Sequence, residues 1–267
     1  MRKACHIRTA TSEEEELNVL SQMLQRSESE GKILLGDHWL GRLLTWQTLF
    51  SSFKHSELKK ISGFLIEPST TEAGIPFPLD FQTGQPDRRQ WIHQHPNGVL
   101  LDTAIHPLNL MLAIYNQIYS QEKPNTLTIE KTNLLDRYQN AIPSGDFETA
   151  EGTATLKGTI NNDVPFEVQV SKYGGEQDKK GVELEFQDGT RIEILKTQNG
   201  QGDDVVRQLP NGTIETHQIT QSLYQRWIAL FTAENSIFQN NKLLQQINEN
   251  HLTVLKTLFG IHRSIRG

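Results

Sequence analysis

Apolar residues recur with two different periods along this chain, and the change of period divides it. In the first stretch Leu17, Leu20 and Leu24 follow the three- and four-residue spacing of one helix face. Ser12 followed by Glu13 to Glu16 is a capping-box start whose acidic run suits the positive end of the helix dipole, and Gly31 ends the pattern. Ile33 to Leu35, a short apolar run after that glycine, predicts a buried strand that leads into Asp37-His38-Trp39-Leu40-Gly41-Arg42. Leu43, Leu44, Trp46, Leu49 and Phe50 predict a second helix, and Ile61 to Ile66 another strand. Residues 68–97 carry five prolines, scattered charges and no period, which predicts a long loop.

From Gly98 the pattern is helical again, because Val99 to Tyr119 is apolar enough for a buried helix. Pro107 lacks a backbone donor and disfavours the helical conformation at His106, so the helix either starts there or kinks there. A kink would free the carbonyl of Thr103. Asp102 and His106 interrupt this run four residues apart, one above the other if the segment is a continuous helix. A proton-transfer pair has this form, and so does a helix that holds two structural polar residues.

Between residues 126 and 219 the period falls to two. Phe166, Val168 and Val170 alternate with polar residues, as do Val182, Leu184 and Phe186 and then Ile192 and Ile194, which predicts a sheet with one wet face. Asp188-Gly189 and Asn211-Gly212 are hairpin-turn dipeptides between such runs. Leu223 to Thr232 and roughly Asn241 to Phe259 return to helical spacing. The expected class is α+β, with a large, mostly antiparallel open sheet and helices packed on one face.

Composition narrows the partners. In 267 residues, 36% hydrophobic and 22% charged content suits a globular chain of one large domain or two small ones. A net charge of −6 without a basic block argues against nucleic acid, and no apolar run approaches a membrane span. Cys5 stands alone, and the amino terminus lacks the apolar core of a signal peptide, so a cytoplasmic protein is expected. Arg88, Arg89, His93 and His95 sit in the proline-rich stretch, where they are either an anion site or an exposed loop. No carboxylate or third histidine stands at a ligand spacing from His93 and His95, so no metal site is expected.

The order of elements resembles the Gfo/Idh/MocA oxidoreductases. The strongest match is Gly98 to Asn109, which resembles the family's glycine-led Asp and His motif, and the resemblance runs from about residue 3 to the end. Asp37 to Arg42 is also similar to the Asp-His-Tyr-Leu-Gly-Lys motif of glucose-6-phosphate dehydrogenase, with Trp for Tyr and Arg for Lys. The resemblance implies a Rossmann-like α/β remnant of a nucleotide-binding domain over residues 1–55 and the family's carboxy-terminal α+β domain over 56–267. It implies NAD or NADP as cofactor and a sugar or sugar-phosphate-like alcohol as substrate.

In that frame His106 transfers the proton, and Asp102 orients the imidazole or the substrate. Lys3, aligned with the lysine of the family's Glu-Lys-Pro signature, sets positive charge against a developing alkoxide. His38, Arg42, Arg88, Arg89 and Asn109 are the candidate substrate-binding residues. The family's Gly-x-Gly-x-x-Gly turn has no counterpart, since Gly174-Gly175 and Gly200 to Gly202 fall in the sheet region, and the cofactor-binding residues stay open. The chain is therefore expected to be the substrate-binding half of a hydride-transfer site, inactive alone, with the nucleotide domain absent or supplied by another chain. The alternative is a non-catalytic ligand-binding or oligomerisation module. The family makes subunit contacts through the open face of its sheet, so a homo-oligomer is a further expected partner, although the outward residues Glu167, Gln169, Glu183 and Glu185 are polar.

Overall fold

Two-residue alternation builds most of the molecule. The computed structural model describes residues 13–30, 33–50, 57–80, 83–88, 98–119, 124–146, 148–197, 202–232 and 237–266. In chain order the strands are β1 (Leu58–Ile66), β2 (Ser69–Glu72), β3 (Ile75–Pro78), β4 (Leu127–Leu135) and β5 (Thr153–Ile160). They continue with β6 (Val164–Ser171), β7 (Lys179–Phe186), β8 (Arg191–Lys196), β9 (Asp203–Gln208) and β10 (Ile214–Ile219). Eight of them form one sheet in the order β10-β9-β8-β7-β1-β6-β5-β4, and β2 pairs with β3 alone. Every adjacent pair is antiparallel except β1 with β6, because β1 inserts between two strands that follow each other in the chain.

Phe166, Val168, Val170, Val182, Leu184, Ile192 and Ile194 are all buried in one continuous apolar core. The polar residues between them lie on the opposite face. There Lys60 and Lys157 reach Glu167 at 2.9 and 3.0 Å. Burial opposes ionisation of Glu167, yet hydrogen bonds from Lys60, Gln169 and Lys157 outweigh it and hold the carboxyl at about 2. The turn glycines Gly189 and Gly212 have φ of +89° and +84°.

The helices are α1 (Glu13–Glu30), α2 (Gly41–Phe50), α3 (Gly98–Asp102), α4 (Ile105–Tyr119), α5 (Leu223–Thr232) and α6 (Asn241–Arg266), with a 3-10 turn at His38–Leu40. Among the described residues no helix is long and apolar enough to cross a membrane. The α+β architecture agrees with the alternation and helical spacing of the sequence, whereas two local expectations change and the alternative at Pro107 is decided.

Ile33 to Leu35 belongs to neither sheet. The Asn248 side chain from α6 takes the place of a strand neighbour, accepting from the Leu35 N–H at 2.7 Å and donating to the Ile33 carbonyl at 2.9 Å. Residues 69–78, expected as loop, are a hairpin turned at Ala73 (φ +49°) and Gly74 (φ +80°). Its sequences Ser-Thr-Thr-Glu and Ile-Pro-Phe-Pro lack apolar alternation, and prolines are tolerated because each strand has a free edge. The apolar run Val99 to Tyr119 is split at Thr103-Ala104 into α3 and α4, so of the two alternatives at Pro107 a helix start, not a kink, is found. Pro107 therefore falls in the first turn of α4, where a missing N–H costs nothing. The Thr103 carbonyl is not freed, because it accepts from the His106 N–H at 3.2 Å.

Two glycines fix that break against the sheet. Gly98 opens α3 at φ +37°, and a Cβ there would meet the Glu151 backbone N at 2.6 Å and O at 2.7 Å. Gly63 in β1 lets α4 lie directly on the strand, since a Cβ would stand 2.6 Å from Met111 Sδ and 2.8 Å from Pro107 Cβ. Met111 can swing aside, but the proline ring cannot. Gly63→Ala is expected to lower the free energy of urea unfolding by about 1–3 kcal/mol through overpacking.

Candidate active site

A cleft of about 730 Å³ opens where the 3-10 turn, the α3–α4 break, one end of the sheet and the start of α5 meet. Local chemistry sets each wall. Asp37 is the N-cap of the 3-10 turn, with extended backbone (φ −135°, ψ 179°), and its Oδ1 accepts from the Trp39 N–H at 2.7 Å. At the start of α5, Ser222 and Gln225 form a reciprocal capping box: the Gln225 N–H donates to Ser222 Oγ at 3.2 Å, and the Ser222 N–H donates to Gln225 Oε1 at 2.8 Å. The α3–α4 break brings Asp102, Thr103 and His106 to the cleft.

The imidazole of His106 is held by Asp37. Nδ1 lies 2.7 Å from Asp37 Oδ2, and the Trp39 ring lies nearly parallel to the imidazole at 6.0 Å. His38 stands 5.8 Å from His106, centroid to centroid, and stacks on Tyr224 at 4.7 Å. Burial raises the Asp37 carboxyl, but the charge and hydrogen bond of His106, the Trp39 N–H and the charge of His38 hold it below its ordinary value. A carboxylate that accepts Nδ1–H leaves Nε2 as the ring's proton acceptor.

Asp102 does not fill this place. Its Oδ2 lies 2.5 Å from Lys172 Nζ, one residue beyond β6. The break between α3 and α4 removes the continuous helix on which Asp102 and His106 would have stacked. Both still line the cleft, with Lys172 beside them.

The remaining expected residues separate. His38 lines the cleft. Arg42 forms part of its wall, but the guanidinium is committed: Nε and Nη2 donate to Asp203 Oδ1 at 3.2 and 2.8 Å, and Nη2 also reaches the Lys180 carbonyl at 3.4 Å. The group lies 4.6 Å above the Trp39 ring. Arg226 of α5 approaches the other carboxylate oxygen of Asp203 at 2.6 Å and donates to Thr45 Oγ1 at 2.6 Å.

Arg88 is placed on the β2–β3 hairpin, paired with Glu72 over the Phe77 ring, rather than in the cleft. Asn109 is buried on α4, where its amide lies 2.9 Å from His251 Nδ1 of α6. Lys3, Arg89, His93 and His95 lie outside the described residues. Among the described residues no group of three or more His, Cys, Asp or Glu side chains is placed to hold a metal ion.

Sequence reasoning missed Asp37 as the partner of His106, although its place before His38 marks it as a cap. It also missed Lys172, Lys180, Lys196, Asp203 and Arg226. These five carry no local signal, because the order of the strands and the packing of α5 against them bring them together.

No protein-family model matches the chain, and no curated protein sequence does. Solved structures do. UDP-N-acetylglucosamine 3-dehydrogenase GnnA from Acidithiobacillus ferrooxidans matches with a TM-score of 0.56 and 12% identity, over 94% of this chain and 67% of that one. KijD10, a 3-ketoreductase from Actinomadura kijaniata in complex with NADP and TDP-benzene, matches with a TM-score of 0.55 and 8% identity, over 93% and 67%. A Thermotoga maritima protein assigned as an oxidoreductase gives 0.59 and 12%, over 94% and 66%. The chain has their fold. It spans about two thirds of their length. These neighbours are of the Gfo/Idh/MocA type, and they lend no support to the short similarity to glucose-6-phosphate dehydrogenase at Asp37 to Arg42.

His251 gives the site a pH signature. Burial pushes its imidazole down to about 4, although Asp37 draws it upward, while His106 depresses it further. As pH falls below about 6.5, the unfolded chain takes up this proton before the folded one, so stability declines until about pH 4. The loss expected from this group is on the order of 3 kcal/mol. Asp37, with its depressed carboxyl, withdraws its own contribution only below its unfolded value of 3.8, so the two windows are separate. Urea midpoints measured across this range should flatten above pH 4 in His251→Gln.

Proposed function

We propose that the cleft is the substrate side of a hydride-transfer site, in which a sugar-like alcohol is oxidised, or the corresponding ketone reduced, with NAD or NADP. The observation that carries this is the Asp37–His106 pair opening on a cleft whose fold is shared with sugar-nucleotide oxidoreductases. A carbinol hydroxyl against Nε2 of His106 loses its proton to the ring as the C–H bond breaks, and Asp37 stabilises the imidazolium that forms. Asp37 is thus a positioning residue. Asp102 and Lys172 offer an acceptor and donors to the neighbouring substrate oxygens, and His38 closes the same wall. Lys3 is retained in this proposal as a further cation toward the alkoxide.

A bound nicotinamide supplies the hydride acceptor or donor. The described residues fit the substrate end of that chemistry but not a pyrophosphate cradle. Gly174-Gly175, for example, lie in the turn from β6 to β7, not between a strand and a helix. We assign the nucleotide to a separate domain, carried by the same polypeptide or by a partner chain, with residues 1–55 as its proposed remnant. Arg42 acts through the cleft wall in this scheme and Asn109 through His251, while Arg88 is proposed only for a substrate long enough to reach the hairpin, and Arg89 is kept as a proposed substrate contact.

Nicotinamide absorbance, followed with a panel of sugars, sugar phosphates and sugar nucleotides and either cofactor, tests the proposal. Where turnover is found, His106→Asn should lower kcat by about 10²–10⁴-fold. Asp37→Asn should lower kcat and alter its pH profile, with little change in KM. Turnover indifferent to His106→Asn would remove this histidine from the reaction. Titration with NADH and NADPH by fluorescence shows whether this chain binds the cofactor unaided.

A further inference from the structure

The two ends of the cleft differ in charge. At the end holding His106, Asp37 is paired with the imidazole and Asp102 with Lys172. At the other end Lys180 from β7 and Lys196 from the last position of β8 project from adjacent strands, their side chains 15% and 13% exposed. Lys180 donates to Glu67 at 3.2 Å and has Asp178 at 3.6 Å. Lys196 donates to Asp178 at 2.6 Å. Each ammonium carries three protons, so donors remain at both.

Behind these lysines lies Arg42, 2% exposed and part of the cleft wall, with no acceptor for Nη1 among the described residues. Arg226 shares its carboxylate, Asp203. Four cations thus meet three carboxylates, namely Glu67, Asp178 and Asp203. A buried guanidinium N–H without an acceptor is costly, and a cluster with surplus charge and surplus donors is completed by a group that only accepts. Hydroxyls of Thr220 and Ser222 border the same end.

We infer that the Lys180–Lys196 end is an oxyanion subsite, and that the substrate carries a phosphoryl or carboxylate group away from its reacting hydroxyl. The subsite stands on the lysines and the arginine behind them, whereas the orientation of the substrate rests on the function proposed above. With the anion at the lysine end, the opposite charge balance directs the neutral carbinol to His106.

Isothermal titration of the chain with inorganic phosphate, glucose, glucose 1-phosphate and glucuronate tests the inference. At least one acidic sugar should bind about tenfold or more tighter than glucose. A preference for glucose 1-phosphate identifies a phosphoryl site, and a preference for glucuronate a carboxylate site. Lys196→Met should abolish most of that preference, Lys196→Arg should retain it, and Lys157→Met, on the opposite face of the sheet, should leave it intact. Should Lys196→Met fail to fold, high salt must weaken the acidic sugars toward the affinity of glucose in the native chain. Acidic sugars that bind no tighter than glucose, or a preference that survives both Lys196→Met and high salt, would overturn the subsite. Acid-selective binding without any nicotinamide response would instead fail the redox proposal and leave the subsite standing.

Discussion

The buried cluster of Arg42, Asp203 and Arg226 ties together three segments that are remote in sequence: the start of α2, the start of β9 and the first turn of α5. All three segments border the cleft, so its shape depends on this one carboxylate between two guanidinium groups. Such a cluster is a poor source of net stability, because desolvating the ions offsets their attraction. Its effect is geometric. Once the three segments have closed, removing either partner would leave a buried charge uncompensated, at a cost of about 3–5 kcal/mol. Arg42 also spreads over Trp39 and thereby fixes the 3-10 turn that carries Asp37 and His38.

The same constraint explains why the imidazole partner of the candidate base comes from a distant segment. His106 sits on the second residue of α4, where the break from α3 turns it away from a stack over Asp102. The turn held by Arg42 brings Asp37 to it, although the two are separated by 69 residues in the chain. Asp102 is left to Lys172, and the cleft acquires two carboxylates with separate duties. One is buried against a histidine, while the other is half-exposed toward ligand space.

Residues with a strong local physical signal were legible in the sequence. Alternation at Phe166 to Val170 and at Val182 to Phe186 gave strands because one face had to be dry. Asp188-Gly189 and Asn211-Gly212 gave turns because glycine alone adopts positive φ without strain. The hairpin at residues 69–78 was not legible, since a two-stranded ribbon without a dry face leaves no alternation to detect. Ile33 to Leu35 carried the signal of a strand, but a side-chain amide satisfies its backbone in place of a strand neighbour.

For the candidate site the division follows the range of the forces involved. By itself the sequence determined the α+β class, a helix start or kink near Pro107, and the presence of Asp102, His106 and His38 as candidate groups, because propensity and periodicity act over a few residues. Only the tertiary structure decided that His106 pairs with Asp37, that Asp102 pairs with Lys172, that Arg42 is buried in the wall, and that Lys180 and Lys196 share one end of the cleft. Hydrogen bonds and ion pairs act across a few ångströms of space, and the strand order that makes those distances short is set by the packing of the whole sheet.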